Sequence, residues 1–188
     1  KKDTTDLFLG EKLRTPPPPT ALVTGATGGI GSAVTQALVR AGYTVIAVAQ
    51  DPERLQMLQG ADPQHVLPLQ LNVCVSQSVW LAKLMGVFDH YEIEARVDVL
   101  VCAHGAAPVT TPSLSVSMHD EFIPVVLTDL GGTFLSAQAV ATYMIRQQSG
   151  RIIFISSLHA HHTYPARAPY AAAKAGICGM ARSLALEW

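Results

Sequence analysis

Tyr170 and Lys174 stand four residues apart in the run YAAAK, fourteen residues before Trp188. A phenol and an ammonium at i and i+4 of one helix share a face. Together they can move a proton. A phenol, with an ordinary pKa of about 10, is a poor general base near neutrality, and a nearby positive charge favours its ionised form. Such a pair needs a helix to present it and a wall to carry a substrate.

The elements that must do this are legible in outline. Pro169 to Glu187 has helical spacing, with Pro169 acceptable in a first turn. Upstream, Ala21 to Gly25, Thr44 to Ala49, His65 to Leu71, Val97 to Ala103 and Arg151 to Ser156 read as short buried strands, the third despite Pro68. Between them lie helical patterns. These are Ile30 to Ala41 (apolar at Ile30, Val34, Ala37, Leu38 and Ala41), a short helix opening at Pro52, Ser76 to Glu92, and roughly Asp120 to Gln148. The last is expected to break around Pro124 and the Gly131-Gly132 pair. Continuous apolar strands separated by helices predict an α/β fold, a doubly wound parallel sheet covered on both faces.

The loop TGATGGIG, Thr24 to Gly31, follows the first strand and opens the first helix. That is the setting of a dinucleotide-binding turn. Gly25 permits the tight turn, Gly29 lets the backbone approach a pyrophosphate, and Gly31 allows helix and sheet to pack closely. The pyrophosphate would meet free N–H groups at the positive end of the helix dipole.

The order T-G-x-x-x-G-x-G, then VDVLVCAHG, GRIIFISS and Y-x-x-x-K resembles the short-chain dehydrogenase/reductase family in its single-domain branch, from about Ala21 to Trp188. The resemblance implies a Rossmann-like sheet and an NAD(P)-dependent oxidoreductase that interconverts a secondary alcohol and a ketone, in the manner of a carbonyl or 3-oxoacyl reductase. Catalytic roles then fall on Ser157, which holds the substrate oxygen, Tyr170, which exchanges its proton, and Lys174, which tunes Tyr170 and binds the nicotinamide ribose. The family's fourth catalytic residue, an Asn, aligns with Asp129 in TDLGGTF. Its backbone carbonyl would survive the change, but the carboxylate can pair with Lys174 and alter the tuning. Cofactor contacts are implied at Gly25, Thr27, Gly28, Gly29, Ile30, Gly31, Gln50, Asn72, Val73, Gly105, Tyr170 and Lys174, and substrate contacts at Ser157, His159 and Tyr170. The family's N-N-A-G after strand four stands here as Cys102-Ala103-His104-Gly105, with only the glycine kept; reduced stability or altered cofactor contact is expected, not new chemistry.

The choice between NAD and NADP rests on the end of strand two. The family's acidic residue for ribose hydroxyls, and its basic residues for a 2′-phosphate, are both missing at Ala49, Gln50 and Gly28. A phosphate without a fixed cation costs more than a hydroxyl with a modest partner, so the balance favours NAD. Asp51 is available to the hydroxyl; Arg54 is the cation for the alternative. His159, His161 and His162 cluster between Ser157 and Tyr170, yet neighbouring histidines on a loop do not easily face one ion and no carboxylate or Cys joins them, so no metal is expected.

With 188 residues, 49% of them hydrophobic, the sequence suits one domain, residues 20–188, behind a flexible Pro-rich leader, 1–19, that ends in four prolines. A net charge of −1 without a basic cluster argues against nucleic acid as a partner and for a small carbonyl or alcohol substrate. Cys74, Cys102 and Cys178 read as reduced core thiols. No stretch is expected to approach the roughly 20 apolar residues of a membrane span, and a cytoplasmic location follows by default. After Trp188 the family's further strands and substrate lid are lacking, so the sequence reads as part of a longer protein. An intact form is expected to be a homodimer or homotetramer through the helices near Asp129 to Gln148 and Tyr170 to Glu187. The rival class is a non-catalytic nucleotide-binding regulator or scaffold, motivated by Asp129 and the altered N-N-A-G; a sugar-nucleotide epimerase of the extended branch fits the glycine spacing less well.

Overall fold

Thr20–Thr24 (β1) is buried along its whole length and occupies the middle of a sheet. The computed structural model describes residues 17–106 and 109–188; most of the expected leader therefore lies outside the described residues. The chain joins the fold at Pro19, whose carbonyl accepts from the Thr44 N–H at 2.9 Å.

β1 is followed by Gly29–Arg40 (α1), Thr44–Ala49 (β2), Pro52–Ala61 (α2), Val66–Gln70 (β3), Gln77–His90 (α3) and Val99–Cys102 (β4). Then come a 30-residue helix, Met118–Gln147 (α4), Arg151–Phe154 (β5), a 3₁₀ turn over Leu158–Ala160, and Ala168–Glu187 (α5). The five strands pair in the order β3-β2-β1-β4-β5, all parallel. This is the doubly wound sheet that the apolar runs predict. Pro68 is tolerated because β3 is an edge strand, where one side needs no ladder bonds.

Side-chain alternation divides the core. Leu22, Ile46, Val48 and Leu100 face Trp80, Leu84 and Phe88 of α3 and Val140 and Met144 of α4. Val23, Val45, Ala47 and Val101 face the other way, against Leu55 of α2 and Val34 and Leu38 of α1. Trp80, wholly buried, donates its indole N–H to the Val73 carbonyl at 3.2 Å and so fixes the turn after β3.

Four expectations need correction. α1 does not bury Ile30, Ala37 or Ala41; its close contact with the sheet is made by Gly31 and Thr35, small residues that let the helix sit down on the strands. α4 is continuous where a break was expected. It absorbs Pro124 and the Gly131-Gly132 pair through two widened π turns, Met118–Phe122 and Leu127–Gly131, in which the N–H groups of Ile123 and Gly132 reach back five residues, to the carbonyls of Met118 and Leu127. By length and composition α4 is also apolar enough to cross a membrane, with a mean hydropathy of 1.3, contrary to the sequence reading. Its second half instead packs Ala137, Val140, Tyr143 and Met144 into the core beneath the sheet. Of the three free cysteines only Cys102 is fully buried; Cys74 and Cys178 are half-buried.

Candidate active site

The order of the strands reverses between β1 and β4, so the loops leaving their carboxyl ends diverge and open a crevice. The glycine loop forms one lip. Gly25 has φ +65°, and a methyl there would lie 2.6 Å from His104 Cα, against the loop after β4. A methyl on Gly31 would stand 2.1 Å from the Gly25 carbonyl oxygen, whereas one on Gly29 meets nothing within 4 Å. The three glycines thus differ sterically: Gly25 sits in a tight turn, Gly31 in close packing, and Gly29 beside open space. A groove of about 320 Å³ runs along this lip, lined by Gly25, Thr27 and Gly28, by Gln50 and Arg54 past β2, by Val73 past β3, and by His104 and Gly105 past β4.

Asp51 does not face that groove as a free acceptor. Its Oδ1 accepts from the N–H groups of Glu53 and Arg54 at 3.0 and 3.1 Å, capping α2, and Oδ2 lies 4.0 Å from Arg54 Nε. Asn72 is similarly occupied, its Oδ1 accepting from the Cys74 N–H at 2.9 Å, which leaves only its amide nitrogen to face outward. Ile30 is 56% exposed at the first turn of α1.

The second wall is α5. Lys174, only 4% exposed, lies with its Nζ 5.5 Å from the centre of the Tyr170 ring, so the i and i+4 residues do share one face. The helix is held to the end of β5 by Ser156, whose hydroxyl donates to the Lys174 carbonyl at 3.0 Å, and by Lys174 Nζ, which donates to the Ile155 carbonyl at 3.3 Å. Ser157 begins the 3₁₀ turn. Its Oγ accepts from the His159 N–H at 3.2 Å, a bond that uses an oxygen lone pair and not the O–H donor. His159 stacks edge-on against Tyr170, ring centres 5.6 Å apart, and against Tyr164 at 5.3 Å; its Nδ1 is 3.2 Å from Thr163 Oγ1. His161 and His162 point into solvent. Among the described residues no group of three or more His, Cys, Asp or Glu side chains is arranged for a metal ion.

Asp129 sits in the second π turn of α4, fully buried, with Oδ2 3.6 Å from Lys174 Nζ. Oδ1 accepts from the Ala106 N–H at 2.6 Å. Its backbone carbonyl accepts from Thr133 Oγ1 at 2.6 Å. Two opposite charges withdrawn from water in this way hold each other: removing either strands the other in a medium of low polarity.

His104 is the residue that motif reading passed over. It lies beside the pair, and its ring bridges two elements: Nδ1 is 2.6 Å from Thr24 Oγ1, and Nε2 is 3.2 Å from the Thr128 carbonyl. A carbonyl only accepts, so Nε2 carries the proton and Nδ1 accepts from the Thr24 hydroxyl. Burial, with a further push from the Lys174 charge, takes the imidazole from its ordinary 6.5 down to about 4. The signal that marks it in the sequence is a histidine at the end of a core strand, one residue before a loop glycine.

The structure therefore gathers Gly25, Thr27, Gly28, Gln50, Val73 and Gly105 around one groove, and Ser157, His159, Tyr170, Lys174 and Asp129 around the adjoining end of the sheet. Gly29 and Ile30 flank the groove on α1, and Gly31 lies beneath it as a packing residue.

Comparison with known proteins places this arrangement. Residues 19–188 match the family profile described as short chain dehydrogenase. Among curated proteins, a 3-oxoacyl-acyl-carrier-protein reductase of Rickettsia conorii is 34% identical over 89% of the chain, and an acetoacetyl-CoA reductase of an Acinetobacter species is also 34% identical over 89%. The chain spans 66% of the first and 67% of the second. Among solved structures, a levodione reductase superposes with a TM-score of 0.81 at 26% identity, covering 90% of the chain and 66% of that protein. With the profile matched over nearly the whole described fold, the chain belongs to the short chain dehydrogenase family.

Proposed function

We propose that the protein is an NAD(P)-dependent oxidoreductase that interconverts a ketone and a secondary alcohol. The observation that carries this reading is the buried Lys174 ammonium beneath the Tyr170 ring, on a helix held to the end of β5 by Ser156 and by Lys174 itself. The residues around the groove fit a dinucleotide: methyl groups are excluded at Gly25 and Gly31 by backbone contacts, while the space over Gly29 stays open for a pyrophosphate at the start of α1.

Bound there, a nicotinamide would accept or deliver the hydride. The chain's own residues do the rest. Ser157 donates to the substrate oxygen and orients the carbonyl. Tyr170 gives its proton to that oxygen in reduction and takes it in oxidation. Lys174 keeps a positive charge next to the phenol and is anchored by the Ile155 carbonyl and Asp129. His159, packed on Tyr170, forms a side of the substrate pocket.

The names of the relatives support 3-oxoacyl thioesters as the first substrate class to try. For the cofactor, Asp51 is spent on capping α2, and Arg54 is the cation lining the groove near the adenosine ribose. Arg54 in the groove supports NADP, the sequence reading at Ala49, Gln50 and Gly28 supports NAD, and titration with each dinucleotide decides between them. A homo-oligomer and a cytoplasmic location complete the reading, supported by the packing of the second half of the 30-residue helix into the core.

One observation favours the rival of a nucleotide-binding scaffold: Asp129 neutralises Lys174 within the site. The test is the absorbance change of the nicotinamide with acetoacetyl-CoA and a panel of ketones and secondary alcohols, beside Tyr170→Phe. Turnover that falls about 100-fold or more in the variant is expected. Cofactor binding with wild-type turnover no better than that of the variant selects the scaffold.

A further inference from the structure

We propose that His104 is a positioning residue for the Lys174 ammonium: its ring holds the second π turn of α4 in the register that sets Asp129 against Lys174. The proposal deepens the oxidoreductase reading and rests on it for its catalytic consequence.

The argument begins with a backbone carbonyl. In an α-helix the Thr128 carbonyl would accept from the Gly132 N–H, four residues on. In the π turn the Gly132 N–H goes to Leu127 instead, so Thr128 loses that donor. His104 Nε2 takes its place at 3.2 Å. Loss of the His104 bond would favour relaxation toward a regular helix, in which the Gly132 N–H returns to the Thr128 carbonyl. Such relaxation would remove the extra residue from the turn and rotate Asp129, the next residue, on the helix surface.

The space for the ring is built in. A methyl group on Gly132 would come within 2.6 Å of Val73 Cγ2 and 3.1 Å of His104 Nε2, so the glycine and the histidine occupy one pocket between them. The far side of the ring is tied to the carboxyl end of β1 through Thr24 Oγ1, itself fully buried. His104 thus braces the second π turn of α4 against β1, the central strand of the sheet. The chain continues from there: Asp129 Oδ1 is bonded to the Ala106 N–H, two residues beyond His104, and Oδ2 faces Lys174. The imidazole, the turn and the carboxylate form one circuit closed through residues 104–106.

Two measurements on the full chain test this. The first reads the wild-type protein: ¹⁵N imidazole correlations at pH 7 are expected to place the His104 proton on Nε2, and a proton on Nδ1 overturns the proposal. The second compares His104→Gln, whose longer amide keeps a donor where Nε2 lies, with His104→Asn, which reaches Thr24 but not Thr128. Hydrogen exchange of the Ala106 amide is expected to speed up about tenfold in the Asn variant, the loss of about one hydrogen bond, and to stay near wild type in the Gln variant. With acetoacetyl-CoA as probe, kcat is expected to fall further in the Asn variant than in the Gln variant. Ala106 exchange that is the same in both variants and in wild type overturns the proposal. If neither variant folds, the tautomer measurement decides alone. Failure of wild type on every carbonyl tried defeats the oxidoreductase reading instead, and leaves the exchange and tautomer results to judge His104.

Discussion

At the scale of single residues the site is governed by charges that have left the water. Lys174 and Asp129 have side chains 6% and 0% exposed, so each is tolerable only because of the other. Asp129→Ala is expected to lower stability by about 3–5 kcal/mol, since it strands a buried ammonium. Asp129→Asn removes the charge as well but keeps a polar oxygen for the Ala106 N–H, so it should lose less than the alanine variant; urea unfolding of the two separates these outcomes. His104 adds a pH dependence with a definite sign. Its folded pKa, about 4, lies below the ordinary 6.5, so between these values the unfolded chain binds the proton and the folded one does not. Stability therefore rises with pH across that window, and the contribution is lost as pH falls from about 6.5 toward 4, by up to roughly 3 kcal/mol. Denaturation followed at pH 7 and pH 4.5 checks this, with His104→Gln expected to show a smaller drop.

At the scale of elements, legibility followed the physics of each signal. The strands were readable because a doubly covered parallel sheet demands continuous apolar runs, and β2 matches the expected Thr44 to Ala49 at both ends. The glycine loop was readable because its constraints are steric. Gly31→Ala is expected to unfold or grossly weaken the domain, with backbone 2.1 Å from the added methyl, whereas Gly29→Ala should fold normally and weaken only dinucleotide binding. Thermal melting and dinucleotide titration of the pair distinguish these. The course of α4 was not readable. Pro124 and two glycines signal a break in a helix considered by itself, but π turns accommodate them once Cys74, His104 and Thr133 supply bonds from outside the main helical ladder. The same reason hid His104: its role depends on a carbonyl that becomes available only through that turn. The Tyr-Lys pair was legible because i and i+4 fix a face, whereas the Asp129–Lys174 contact was expected only through the resemblance that aligns Asp129 with the family's Asn, since it spans two helices.

At the scale of the whole molecule the open side is as informative as the filled one. β5 is an edge of the sheet among the described residues, with Ile153 45% exposed. Beside it an apolar cavity of about 760 Å³ opens between α4, β5 and α5, lined by Met144, Ile152, Phe154, Leu184 and Trp188. An unpaired edge next to apolar surface favours association. The 188-residue chain is therefore expected to sediment as an oligomer, and a well-behaved monomer across a range of concentrations would contradict that. The central claim concerns the carboxyl ends of the strands, where Ser157, Tyr170 and Lys174 are proposed to act on a substrate beside a dinucleotide in the glycine-loop groove. The most direct measurement is label transfer: the protein is incubated with reduced nicotinamide dinucleotide deuterated at the transferring carbon and a carbonyl panel that includes acetoacetyl-CoA, and products are read by mass spectrometry. Deuterium on the carbinol carbon of a product, lost on Tyr170→Phe, is the predicted result; no labelled alcohol from any carbonyl, or equal labelling by the variant, would contradict the account.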